Sequence, residues 1–407
     1  MLVARNRSFW VCALLLFGLF LPTSSGGEVT KGWTRLVLAV VCLILFLLQS
    51  SYKGRAKGDL LLIAFVILLL LLIFTPFSPL PVPVYGIFGA FAIFSLLISV
   101  RLENIRLTSS IRRTFIVVNI INIVLGLGIL IHLSPVDWII TTYYSAHYQD
   151  LVPTMMELGK PVLTSATHSL AGFVHYLFFW VNLRAYQQTG RKLYLGFSLA
   201  YMLFTLALLS VSGLLFFGVA FIQLMWTLLK RKILVAALSL GFVALALFAT
   251  LRLLGSQAQF SDGLASGATD IFSSGGNGFL GRYFNESGNL QAAFDYLSVH
   301  PFLPAGLKSE EDLPLLDSGP LDYYMRGSIV LVLLMYGGFY LFLKRNLHDS
   351  RDAYFLFAVT LCFELGFSAL TSFRAVCVLP ILIVYLNGLR IPKQMKSTQM
   401  LENASSA

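Results

Sequence analysis

The sequence predicts an all-α, polytopic membrane protein of about twelve transmembrane helices, with both termini in the cytoplasm. Three observations carry this expectation. Of 407 residues, 57% are hydrophobic and only 12% are charged, whereas a soluble domain carries roughly 25% charged residues. The apolar residues fall in runs close to the ~20 that a helix needs to cross a bilayer. The basic residues cluster between alternate runs, which is the signature of membrane topology.

In chain order the runs are 9–22, 33–50, 59–77, 84–100, 114–133, 166–183, 193–209, 211–229, 233–254, 328–343, 353–371 and 374–389. The first is short, follows Arg5 and Arg7, and precedes Thr-Ser-Ser-Gly-Gly at 23–27, so it also has the form of a cleaved signal peptide. The second run follows so closely that a retained helix is favoured. With the N-terminus inside and every run crossing, the inside loops collect 21 of the 29 basic residues and every short inside loop holds at least two. Thirteen of the 19 acidic residues fall on the outside. The chain is therefore read as one integral membrane domain with two larger extracytoplasmic loops, 134–165 and 255–327, and a cytoplasmic tail at 393–407.

Several function classes are excluded by pattern. The net charge of +10 lies in topology-setting clusters, and no basic stripe remains to track a nucleic acid. HExxH, Walker and GxSxG motifs are absent from the sequence. Cys12, Cys42, Cys362 and Cys377 all sit in apolar runs, so no disulfide framework or metal site is expected. The acidic run Glu310, Glu311 and Asp312 reads as a solvated loop face.

The polar chemistry must lie in the two large loops. In the second, GNLQAAFDYLSVHP has Leu290, Ala293, Phe294 and Leu297 at helical spacing, with Asn285 or Ser287 as a cap and Pro301 after its end. It reads as a short amphipathic helix lying apolar face down on the membrane, with Arg282 before it and His300 at its C-terminal end. Arginine offers a planar fork to phosphate oxygens, and lysine offers a point charge. In the first loop Lys160-Pro161 precedes Thr164, Ser165, Thr167, His168 and Ser169 at a helix mouth, a composition that either holds an anion or simply caps and packs. Tyr143, Tyr144 and Tyr148 are an aromatic belt or a sugar-stacking surface. Glu364 and Arg374 lie in or at the edge of late runs, where charge is costly and is either functional, mutually paired or avoided by keeping the glutamate neutral. A direct pair needs a bend, because ten residues of helix span about 15 Å.

Four stretches carry a resemblance: GKPVLTSATHSLAGF, LLSVSGLLFFGVAFIQLMW, GRYFNESGNLQAAFDYLSVHPFLPAGL and DSGPLDYYMRGSIVLVLLMYGG. Together they span about residues 150–343, and they resemble the Wzy-type polysaccharide polymerases of the O-antigen polymerase and ligase group. The chain departs from that pattern at Lys160, where arginine is common, at Ser318, where asparagine is common, and at Pro304, where glycine is common. The resemblance implies a GT-C-like helical architecture in the bacterial inner membrane. It implies a glycosyltransferase that moves a growing glycan from undecaprenyl diphosphate to the non-reducing end of a second lipid-linked repeat unit. Lipid-linked glycans and membrane lipids are the implied partners, alongside a chain-length-regulating co-polymerase and a flippase. Neither a cofactor nor a metal is implied. Arg282, His300, Arg326 and His168 are the catalytic candidates. Lys160, Asp317, Asp322, Tyr323 and Arg374 are the substrate-binding candidates. His300 or His168 would serve as general base or phosphate donor, and Asp317 and Asp322 would bind sugar hydroxyls or serve as the base instead. The rival readings are an O-antigen-type ligase and a polytopic transporter or flippase.

Overall fold

The computed structural model describes residues 2–21, 28–50, 59–83, 85–103, 105–144, 155–165, 167–208, 210–230, 289–300, 303–309 and 318–389. The expected span at 233–254, the tail at 393–407, Tyr148, Asn285, Ser287, Glu310, Glu311 and Asp312 lie outside them, as do the site candidates Arg282 and Asp317.

The described chain is a helical bundle. Its helices are α1 (Leu2–Phe20), α2 (Glu28–Ser50), α3 (Asp59–Phe74), α4 (Tyr85–Ser99), α5 (Ser109–Leu130), α6 (Ser134–Tyr144), α7 (His168–Thr189), α8 (Lys192–Ala207), α9 (Val211–Lys230), α10 (Asn289–Val299), α11 (Gly319–Asn346), α12 (Ser350–Glu364) and α13 (Phe373–Leu389). Helices occupy eleven of the twelve expected runs, and the twelfth is the one outside the described residues. Four segments are long and apolar enough to cross a membrane: Leu60–Phe77, Ser109–Leu130, Ser212–Leu229 and Gly319–Asn346. Shorter apolar helices accompany them. Large side chains such as Phe65, Ile222 and Leu333 are exposed on the bundle surface, as expected where the solvent is hydrocarbon.

Hydrogen bonds sort the helix ends into two sets. At one end Arg7 of α1 donates to the Arg101 carbonyl at 2.5 Å, and Asn346 accepts from Leu102 N at 2.5 Å and donates to Val100 O at 3.3 Å. Asn387 donates to Asn346 O at 2.6 Å, and Arg184 pairs with Asp352 at 2.8 Å. At the other end the Tyr144 hydroxyl donates to Phe20 O at 2.6 Å, and Arg374 donates to the carbonyls of Gly18, Leu19 and Leu21. This second end carries two short straps, residues 155–165 and 303–309, and is the one that the charge pattern assigns to the outside.

The first helix is built into this bundle. Val11, Leu14 and Leu15 of α1 are fully buried, and Arg374 caps its last carbonyls. Gly18 lies against Cys377 of α13 so closely that an added Cβ would overlap the cysteine side chain. Gly18→Val is therefore expected to destabilise by about 1–3 kcal/mol, the usual cost of overpacking, read as a lower thermal midpoint of the detergent-solubilised protein. An unchanged midpoint would show that α1 can leave its place at no cost.

α11 is two helical arms rather than one rod. Gly327 (φ −150°, ψ 22°) and Ser328 (φ 61°, ψ −171°) interrupt it, and Ser328 holds a left-handed φ that a side chain rarely adopts. A straight helix would separate Tyr323 from Tyr336 by about 20 Å, yet their ring centroids are 5.8 Å apart. The arm 319–326 thus folds back beside the arm 329–346. The hydropathy pattern places 319–326 in the outer loop and begins the span at 328. The break does fall there, but the inner face of the arm before it is buried in the bundle: Gly319, Asp322, Tyr323, Met325 and Arg326 are all buried. Non-helical backbone at such a depth is tolerated only where protein surrounds it or a cavity is lined.

Candidate functional site

The folded-back arm and the strap 303–309 build one polar centre. Arg326 is 1% exposed. Its Nε donates to Asp322 Oδ1 at 2.8 Å, an i,i+4 pair on the arm's inner face. Its other bonds reach the strap, from one terminal nitrogen to Gly306 O at 3.0 Å and to Lys308 O at 3.2 Å. The strap repays the arm's open C-terminus, since Ala305 N donates to Met325 O at 2.8 Å and Gly306 N to Arg326 O at 3.0 Å.

The strap is anchored again on the turn that follows α3. Leu307 N donates to Thr75 Oγ1 at 3.0 Å, and Lys308 Nζ donates to Ser78 O at 3.0 Å. A two-residue antiparallel ribbon joins β1 (Val82–Pro83) to β2 (Lys308–Ser309), with Val82 opposite Ser309. Gly306 takes φ +57°, and a Cβ there would run into the Thr75 backbone, so this turn requires glycine.

α10 forms where the apolar spacing predicts, but it rests on protein. Ala293, Tyr296 and Leu297 pack with Leu80, Ala305, Leu321 and Met325, while Phe294, expected on the buried face, is exposed. The packing face follows the i, i+3, i+4 row through 293, 296 and 297, and Tyr296 wins the place because its hydroxyl donates to Leu303 O at 2.7 Å. Burial pushes that hydroxyl above its ordinary pKa, so it remains a neutral donor. His300 ends the helix half-buried, its ring 5.4 Å from that of Tyr296.

Behind the arm lies a carboxyl group whose contact with the arm no sequence pattern marks. Glu364 is fully buried at the C-terminal end of α12. It accepts from the Tyr336 hydroxyl at 3.0 Å and from Leu370 N at 2.6 Å. It lies against Gly319 at the first turn of the arm, where a Cβ would overlap the carboxylate. The chain does bend between Glu364 and Arg374, through the 3-10 turn Ala369–Thr371. Each nevertheless takes other partners: Glu364 the Tyr336 hydroxyl and Leu370 N–H, and Arg374 the carbonyls of α1, with its guanidinium 5.3 Å from the Tyr144 ring.

The remaining candidates belong to the first strap. Gly159 (φ 58°) turns the chain into Lys160, whose N–H donates to Met155 O at 2.9 Å. Pro161 O accepts from the His175 ring at 2.8 Å. Thr167 caps α7 by accepting from Leu170 N at 3.3 Å, which leaves His168 half-buried in the first turn. Thr164 and Ser165 are buried. His175, one strap layer deeper, was not singled out from sequence; within an apolar run a lone histidine has no neighbouring motif to mark it.

Asp322, Tyr323 and Arg326 thus share one arm, His300 sits on the helix that covers it, and Lys160, His168 and Arg374 stand at the same strap-bearing end. No protein-family model, curated protein or solved structure matches the chain.

Proposed function

We propose that this protein is a Wzy-type polymerase of lipid-linked oligosaccharides, crossing the bacterial inner membrane about twelve times and working at its outer face. The observation that carries this reading is the buried polar centre at the strap-bearing end, where Arg326 pairs with Asp322 and bonds to the strap 303–309, with Lys160, His168, His300 and Arg374 at the same end. Three of the four stretches that resemble the family contribute described residues to that end. DSGPLDYYMRGS includes the folded-back arm, GRYFNESGNLQAAFDYLSVHPFLPAGL includes α10 and the second strap, and GKPVLTSATHSLAGF includes the first strap and the start of α7.

In the proposed reaction the bond from the glycan's anomeric carbon to the diphosphate oxygen breaks. The electron pair leaves with undecaprenyl diphosphate, and the anomeric carbon bonds to a hydroxyl oxygen of the acceptor's non-reducing sugar. That hydroxyl loses its proton to a base, with His300 or His168 as the histidine candidates and Asp317 as the carboxylate candidate. Positive side chains aimed at the departing diphosphate lower the barrier. We assign that role to Arg282, with Lys160 in support. Arg326 has two nitrogens committed to Asp322, Gly306 and Lys308, so its contribution is to hold the arm in place.

A deletion strain tests the class of reaction. Loss of a polymerase leaves single repeat units on the final acceptor, whereas loss of a ligase leaves long chains on undecaprenyl diphosphate. A strain with unaltered glycan ladders would end both readings. Arg282→Ala is expected to slow chain extension about 10²–10³-fold, the usual cost of losing one transition-state donor, while the protein still accumulates in the membrane. Full-length ladders from that variant would remove Arg282 from the mechanism.

A further inference from the structure

We infer that helices α5, α7 and α8 enclose two water-binding sites, one on Nδ1 of His175 and one on Oδ1 of Asn182. Both residues are fully buried, and among the described residues neither atom has a hydrogen-bond partner.

The chemistry of each atom follows from its neighbours. His175 Nε2 lies 2.8 Å from Pro161 O. A carbonyl only accepts, so Nε2 carries the proton and Nδ1 of the neutral ring presents a lone pair. Asn182 Nδ2 donates to Asn119 Oδ1 at 2.7 Å and to Phe178 O at 2.8 Å, which uses both of its hydrogens and fixes the orientation of the amide. Its Oδ1 is therefore an acceptor without a donor. Asn119 is fixed in the same way, by donation to Phe115 O at 2.7 Å.

The same seam holds hydrogens that nothing described accepts. The Tyr201 hydroxyl receives a bond from Asn122 Nδ2 at 3.3 Å, which leaves its own hydrogen to give, and its ring centroid is 5.9 Å from that of His175. Asn119 and Asn122 each use one amide hydrogen in these bonds, and each keeps a second. Donors and acceptors thus face one seam without reaching one another directly. Water, which both donates and accepts, completes both sides; a cation would satisfy the acceptors but meet the N–H and O–H hydrogens. An unmet buried acceptor costs about 1–3 kcal/mol, and ordering a water costs about 0–2 kcal/mol while restoring the bond. Positions 175 and 182 are two turns apart on one face of α7, about 10 Å along its axis, so one molecule cannot serve both atoms.

Radiolytic hydroxyl-radical labelling of the full chain in lipid nanodiscs, read by mass spectrometry, tests this. Radicals generated from bound water modify buried side chains beside it. Phe178, whose ring stacks on Tyr201, is expected to be labelled several-fold faster than Phe94 and Phe339, which are equally buried. Equal rates at the three phenylalanines would overturn the inference. In His175→Phe, which removes the acceptor, labelling of Tyr201 is expected to fall below its wild-type rate. An unchanged rate in a folded variant would remove the His175 site, and should that variant fail to fold, the phenylalanine comparison in the wild type still decides.

Discussion

Arg326→Ala is expected to collapse the strap-bearing end of the protein before it affects any chemistry. The substitution leaves the Asp322 carboxylate buried without its cation and leaves the Gly306 and Lys308 carbonyls without their donor. Removing one partner of a buried ion pair costs about 3–5 kcal/mol, a large share of the roughly 5–15 kcal/mol that holds a typical domain together. The pair itself is worth much less than that, because desolvation consumes most of its Coulombic gain. The double variant Asp322→Asn, Arg326→Leu is therefore expected to recover much of the loss. Thermal midpoints in detergent, with the monodisperse fraction from size exclusion, read both. A single variant as stable as the wild type would show that the guanidinium does not clamp the strap. A double variant no better than the single would show that the carbonyls, rather than the stranded carboxylate, set the cost.

The same pair shows what the sequence makes legible. Apolar runs are local, and a window of about 20 residues is enough to find them, so eleven expected runs reappear as helices. The arm 319–326 escaped because Asp322 and Arg326 count as polar one at a time. Paired at i,i+4 they neutralise each other on one face and can be buried together. That spacing was a usable signal, as was Gly327-Ser328, where a flexible residue immediately precedes the apolar run that follows the arm. The strap's anchors gave no such signal. Thr75 and Leu307 are separated by 232 positions, and no local pattern announces such a contact. α10 is an intermediate case: its helical period is in the sequence, but which of Phe294 and Tyr296 faces inward depends on Leu303, to which only the tyrosine can donate.

Glu364→Ala is the second substitution expected to have a large effect, and its partners make the outcome specific. The Tyr336 hydroxyl and Leu370 N–H would both lose an acceptor in a buried site. Each stranded donor costs about 1–3 kcal/mol. Glu364→Gln is expected to be far milder, because its amide oxygen still accepts from Leu370 and its amide nitrogen can donate to the Tyr336 oxygen. Gly319→Val attacks the same contact from the other side, since its Cβ would overlap the carboxylate. Two routes to one broken contact should not add. The double variant Gly319→Val, Glu364→Ala is expected to cost less than the sum of the singles, because alanine at 364 vacates the space that valine needs; contacting residues commonly couple by about 0.5–3 kcal/mol. Additive losses in that cycle, measured by thermal denaturation, would mean that Glu364 and the arm are stabilised independently. The carboxylate would then not be what holds the arm folded back.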